Sequence, residues 1–163
     1  MQIDSQVGHG TTVTVHLPRS LDVVAAPSSE DTSDFVAADQ RTVLVVEDNK
    51  DVKNVAVALL EQLGYRTVAV ESAAEALDVF ASGQQVSLLF TDVALPGQVD
   101  GLALARKVTE RFGAIPIVLT TGYTRVFESD PEFPVLRKPY QIAALGRLIH
   151  QALYSLKNTG VTH

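Results

Sequence analysis

At 163 residues, with 46% apolar and 20% charged residues, the chain is long enough for one ordinary domain plus attachments and has no apolar run of membrane-spanning length. It contains no cysteine, which excludes a disulfide framework, a thiolate metal site and a cysteine nucleophile. The net charge of −6 is uneven: one arginine faces six acidic residues in 1–40, for −5, while 41–163 stands at −1, so no basic patch supports nucleic-acid binding. The first residues carry no signal-peptide pattern, and with the absence of cysteine this leads us to expect a cytoplasmic protein without membrane contact by this segment.

Residues 1–18 stand apart from the rest. Gln2 to Val7 and Thr11 to Leu17 are β-prone stretches around Gly8-His9-Gly10, the pattern of a hairpin with glycines at its turn. The run Ser5-Gln6-Val7-Gly8-His9-Gly10-Thr11 to Leu17-Pro18 resembles the end of the ATP-binding domain of sensor histidine kinases, which commonly finish on Ser-x-x-Gly-x-Gly-Thr and a last strand closed by Leu-Pro. Residues 19–40 are rich in Ser, Asp, Ala and Pro and have neither a 2-residue nor a 3.6-residue period. Such a segment cannot bury enough apolar surface to offset its ordering entropy, and it reads as a flexible acidic linker.

From Arg41 strands alternate with helices, which predicts βαβ units on a parallel sheet. Thr42 to Val46 is a β-branched strand ending on Glu47-Asp48. A helix over Asp51 to Leu63 places Val52, Val55, Leu59, Leu60 and Leu63 on one face, with Gly64 as its stop. Arg66 to Val70 is the second strand, and Ser72-Ala73-Ala74-Glu75 is a capping box opening a helix that carries Leu77 and Phe80. The short apolar run Val86 to Val93 reads as a strand buried on both faces, with Asp92 at its end. Asp100-Gly101 opens a helix with Leu102, Ala105, Val108 and Phe112 in register, and Pro116 to Thr120 is strand four. Gly122 to Pro134 shows no helix of normal length. Val135 to Arg137 is a short fifth strand, and a last helix over about Gln141 to Leu156 buries Ile142, Leu145, Ile149, Ala152 and Leu156, with Leu148 and Leu153 widening the stripe. The fold class expected is α/β: a doubly wound, flavodoxin-like (βα)5 parallel sheet in the order 2-1-3-4-5, with a shortened fourth helix. The domain at 41–156 is followed by a short tail, 157–163.

In such a sheet, ligand sites lie outside the carboxyl ends of the strands. Four of those ends carry polar groups here: Glu47-Asp48, Asp92, Thr121 and Lys138. Each has an ordinary explanation alone, as a cap, a turn residue or a surface cation. Their coincidence at one rim does not, because unpaired carboxylates repel and raise one another's pKa values. The chemistry that needs this set is phosphoryl transfer onto a carboxylate, with Asp92 as nucleophile. Mg²⁺ overcomes the repulsion between a dianionic phosphoryl group and an acidic pocket, since it takes oxygen ligands, one or two carboxylates and phosphate oxygens. Asp48 and Asp92 are the expected ligands, Glu47 helps directly or through water, and the backbone carbonyl of Ala94 completes the protein's share. Lys138 pairs with one phosphoryl oxygen and Thr121 donates to another; positioning and charge stabilisation carry the catalysis.

Residues 41–156, about 70% of the chain, resemble the receiver domain of bacterial two-component response regulators. The matching pieces are Val43-Leu44-Val45-Val46-Glu47-Asp48-Asn49, Leu89-Phe90-Thr91-Asp92-Val93-Ala94-Leu95-Pro96-Gly97, Pro116 to Gly122, and Leu136-Arg137-Lys138-Pro139-Tyr140. The resemblance implies that Asp92 accepts a phosphoryl group from a phosphohistidine on a histidine kinase or a histidine phosphotransfer protein. It also implies Mg²⁺ as cofactor and a phosphorylation-dependent change in the face of helix four, strand five and helix five. The loop Pro96-Gly97-Gln98-Val99-Asp100-Gly101 is similar to one frequent in receivers at the C-terminus of hybrid sensor kinases, which agrees with the kinase-like segment 1–18.

Two positions depart from the family pattern. Val135 stands three residues before the lysine, where receivers usually carry an aromatic residue that swings inward as the threonine side chain moves; Tyr123 or Tyr140 is the candidate to take its place. The interval from Thr121 to Lys138 is also short, at 17 residues. Rival readings are a histidine kinase, a never-phosphorylated docking module and a flavin-nucleotide binder. The first lacks a histidine in an acidic donor context, because His9, His16, His150 and His163 fall in a turn, a strand, the last helix and the tail. It also lacks nucleotide-binding boxes, so kinase activity belongs only to a longer parent. The second is opposed by the complete residue set, and the third by the acidic Glu47-Asp48-Asn49-Lys50 loop, which is poor for cradling phosphate. No DNA-binding segment is expected in Lys157 to His163, so output runs through another protein or serves as a phosphate sink.

Overall fold

Three strands are apolar at nearly every position, and the fold buries both of their faces. In the computed structural model, which describes residues 2–6, 10–14, 41–122 and 132–155, these are β3 (Thr42–Val46), β5 (Leu88–Asp92) and β6 (Ile117–Thr121). With β4 (Arg66–Val70) and β7 (Val135–Arg137) they form one parallel sheet in the order β4-β3-β5-β6-β7. That is the expected 2-1-3-4-5 order of the flavodoxin-like class. The chain divides into two units at Asp31 and Thr32. In the first, β1 (Gln2–Gln6) pairs antiparallel with β2 (Gly10–Thr14), the hairpin foreseen around the glycines. Residues 15–40, the expected short helix at 123–131 with Tyr123, and the tail from Leu156 lie outside the described residues.

The two-residue period of the strands sorts the core into two layers. Val43, Val45, Leu88, Phe90 and Val118 face α1 (Lys50–Gln62) and α4 (Ile142–Ser155), meeting Ala56, Leu60, Leu145, Ile149 and Leu153. Leu44, Val46, Leu89, Ile117 and Leu119 face the other way, onto α2 (Ala73–Ala81) and α3 (Gly101–Phe112), meeting Ala76, Phe80, Leu104 and Val108. Right-handed parallel crossovers put helices on both faces, which is why these strands lack the apolar–polar alternation of a half-exposed sheet.

Side chains close the helix starts where the sequence placed caps. Asn49 accepts from the backbone N–H of Asp51 at 3.0 Å and of Val52 at 3.2 Å. Ser72 and Glu75 form the capping box, with Glu75 N–H donating to Ser72 Oγ at 3.3 Å, and Asp100 accepts from Ala103 N–H at 2.7 Å. Each side chain satisfies an otherwise orphaned donor of the first turn. Gly64, just past α1, has φ 87°, as a left-handed stop requires.

Three expectations need correction. Val55 was placed on the apolar face of α1, but it is 57% exposed; the buried positions, Ala56 and Leu60, lie one turn apart, and Val55 is rotated off that row. On α4 the stripe centres on Leu145, Ile149 and Leu153, while Ile142, Leu148 and Ala152 are half-buried. Strand four also runs one residue further than its apolar pattern, so that Thr121 closes β6 instead of following it.

Candidate functional site

β5 is buried along its whole length, and Asp92 is its last residue, only 8% exposed. β3, its neighbour, ends at Val46 and delivers Glu47, also buried, and then Asp48, which is exposed. One oxygen from each of Glu47, Asp48 and Asp92 can lie within 4.8 Å of the others. β6, the neighbour on the opposite side, ends on buried Thr121, and β7 leads into Lys138. Lys138 is tied to the sheet by its backbone, its N–H donating to the Thr121 carbonyl at 2.8 Å. The Lys138–Pro139 peptide is cis. Five of the six positions named from sequence thus converge on one rim; the sixth, Ala94, is exposed in the loop two residues beyond Asp92.

Lys138 reaches across the rim. Its Nζ donates to Glu47 Oε2 at 2.5 Å and lies 3.0 Å from Asp92 Oδ2. One ammonium therefore bridges two carboxylates whose residues are 91 apart from their partner in the case of Glu47. Such charge-assisted contacts are the strong ones, and here all three groups are mostly withdrawn from water. The pair is not enough to balance the site. Burial pushes the Glu47 carboxyl above its ordinary range; the Lys138 hydrogen bond and charge pull it back, and the Asp92 charge pushes the same way as burial. Asp92 Oδ1, moreover, is buried with no hydrogen-bond partner among the described residues.

A buried acceptor oxygen without a donor is costly, and three convergent carboxylates, of which one lysine pairs with two, leave negative charge in excess. Both features fit a hard divalent cation taking carboxylate oxygens. The donor set contains no nitrogen or sulfur ligand, which is the pattern of Mg²⁺ or a similar oxygen-seeking ion and not of zinc.

Tyr140 is one of the two candidates named from sequence to replace the missing aromatic at Val135. Its ring packs edge-on against Phe90, with centroids 5.9 Å apart, and its phenol is pushed up to about 12, by burial first and then by the charges of Glu47 and Asp92. Two neighbours of Asp92 went unmarked. Thr91 Oγ1 donates to the Asp92 carbonyl at 3.1 Å, and the N–H of Gly101, at the start of α3, donates to the Val93 carbonyl at 3.0 Å. A glycine directly after a helix-capping aspartate was the available signal, since helix propensity alone disfavours it. Val135, at the position usually aromatic, is half-buried and pairs with Leu119.

The oxygen-only acidic cluster and the lysine stand at the carboxyl rim of a doubly wound sheet, where open α/β sheets carry their ligand sites. The chain belongs to the response regulator receiver domain family, whose sequence profile matches residues 43–130, and it is therefore a signalling module of two-component systems. It is 31% identical to the response regulator receiver protein CpdR of Brucella abortus (strain 2308), over 69% of this chain and 97% of that protein. It is 29% identical to the sensor kinase CckA of the same organism over 92% of this chain, and it spans 17% of that kinase's length. Among solved structures, the receiver domain of the hybrid histidine kinase CckA matches with a TM-score of 0.59 and 31% identity, covering 69% of this chain and 98% of that domain. No helix among the described residues is long and apolar enough to cross a membrane.

Proposed function

We propose that this protein is a phospho-accepting receiver in which Asp92 takes a phosphoryl group from a phosphohistidine of a histidine kinase or histidine phosphotransfer protein. The observation that carries the reading is the unpartnered, buried Asp92 Oδ1 inside a three-carboxylate cluster whose charge a single lysine does not balance. Asp92 attacks phosphorus; the O–P bond forms as the donor's P–N bond breaks, and the electron pair stays with the leaving imidazole. Glu47, Asp48 and Asp92 hold Mg²⁺, with the Ala94 carbonyl contributing. The ion's part is to neutralise the charge that the carboxylates and the incoming phosphoryl group bring together. Lys138, already at the rim, exchanges its contact with Asp92 Oδ2 for a phosphoryl oxygen, and the Thr121 hydroxyl donates to another. Phosphorylation then alters which proteins bind the face around β7 and α4.

The same reading extends to the ends of the chain. Residues 1–18 are the end of a kinase ATP-binding domain, 19–40 a linker, 41–156 the receiver and 157–163 a tail, as at the cytoplasmic end of a hybrid histidine kinase. The alignment with CckA supports this, because 92% of the chain cannot be matched without reaching into residues 1–40. Intact-mass measurement after incubation with acetyl phosphate tests the function. One phosphoryl adduct that needs Mg²⁺ and disappears with chelator is the expected result. No adduct from acetyl phosphate or from any phosphohistidine protein would leave a docking module.

A further inference from the structure

The carbonyl of Asp92, the proposed acceptor, is met by the start of α3 and by the Thr91 hydroxyl. α3 begins at Gly101, and that residue is buried against the Asp92 backbone. A Cβ built on Gly101 meets the Asp92 carbonyl oxygen at 1.9 Å, the carbonyl carbon at 2.8 Å and Val93 Cα at 3.0 Å. Real Cβ atoms essentially never approach within 3.0 Å, and the obstacle is backbone, which cannot swing aside like a side-chain tip. Gly101 has an ordinary helical start, not a left-handed φ, so alanine fits its backbone conformation; only space excludes it. The buried Thr91 hydroxyl donates to the same Asp92 carbonyl.

We propose that Gly101 and Thr91 are positioning residues for Asp92: the glycine lets α3 close onto the acceptor's carbonyl, and the threonine hydroxyl holds that carbonyl in place. This rests on the reading of Asp92 as phospho-acceptor. In-line attack needs the carboxylate oxygen within a narrow range of the phosphorus, and a misplacement near 1 Å is worth about 100-fold in rate. Relieving the contact at Gly101→Ala moves the Asp92 peptide by a comparable distance, whereas the sheet beneath it stays anchored by β3 and β6.

The test measures the Mg²⁺-dependent rate of phosphorylation by acetyl phosphate at saturating Mg²⁺, alongside ¹H–¹⁵N spectra and thermal melts of the full chain. Gly101→Ala is expected to lower the maximal rate about 10- to 100-fold while half-saturating acetyl phosphate changes less than about 3-fold. Its amide shifts should concentrate at residues 91–94 and spare β4. Thr91→Val, which keeps shape and drops the hydroxyl, is expected to slow the reaction several-fold, and Thr91→Ser to restore it. A folded Gly101→Ala protein reacting at the wild-type rate, or Thr91→Ser as slow as Thr91→Val, would overturn the proposal. If Gly101→Ala does not fold, the Thr91 pair decides. If the wild type takes no phosphoryl group, the function fails instead, and the amide shifts alone judge the positioning.

Discussion

β5 and β7 both supply the rim, yet they are built in opposite ways. β5 sits between two partners, buries all five residues and ends on Asp92, the proposed acceptor; β6, equally buried, ends on Thr121. β7 is a three-residue edge strand, with Val135 and Leu136 half-buried and Arg137 exposed, and it supplies Lys138. Asp92 and Thr121 therefore stand on strands packed on both faces, where close packing resists displacement. The cation stands on a short edge and works through a flexible four-carbon arm. The contrast teaches a division of labour that the proposed function uses: the Asp92 carboxylate is placed by packing, and the Lys138 ammonium by a long arm that pairs with Glu47 and Asp92.

The largest expected effect breaks the fixed side chemically. Asp92→Asn keeps the volume and removes the nucleophile, so phosphorylation should fall more than about 100-fold, read by intact mass, while the protein remains folded. Equal labelling in that variant would place the acceptor elsewhere. Next in size is the mechanical contrast. Leu119→Ala in β6, fully buried, should lose about 2–5 kcal/mol in denaturant unfolding, and Leu136→Ala in β7 clearly less. Equal losses would remove the distinction between the central strands and the edge.

A smaller effect, about 10-fold or less, is expected at the mobile cation. Lys138→Ala should lower the level of phosphorylated protein yet leave Mg²⁺ affinity by calorimetry unchanged or tighter, because the ammonium occupies the carboxylates that hold the ion. Weaker Mg²⁺ binding would mean that the lysine organises the carboxylates instead of competing for them. The smallest concerns Glu47. Its folded-state pKa lies above the ordinary 4.5, burial being the main cause, so its contribution to stability is fully present below 4.5 and is lost as pH rises through the raised value. Glu47→Gln, neutral at every pH, should gain in melting temperature relative to wild type between pH 4 and 7. A wild type that gains on the variant over that range would reverse the sign.

The sequence made the sheet readable because the central strands are unbroken apolar runs and the helix starts carry their own caps at Asn49, Ser72 and Asp100. It made Asp92, Glu47-Asp48, Thr121 and Lys138 readable because each directly ends or follows a strand. What it did not show are relations between distant elements. The Glu47–Lys138 bridge joins the ends of β3 and β7, and no local pattern pairs them. Gly101 is visible as a glycine, but what it faces, the Asp92 carbonyl, depends on how α3 docks. Val55 looked apolar and periodic yet is exposed, since a hydrophobic residue has no obligation to be inside. The edge-on packing of Tyr140 on Phe90 likewise depends on how the chain runs after Lys138.

The most direct test locates the phosphoryl group. Reduction of the phosphorylated protein with borohydride converts an aspartyl phosphate to homoserine, which peptide mass spectrometry places on the chain. The account predicts homoserine at position 92 alone, in the sample made with Mg²⁺ and not in the one made with chelator. Homoserine at position 48, or a phosphoryl group resistant to borohydride on a serine or threonine, would contradict it.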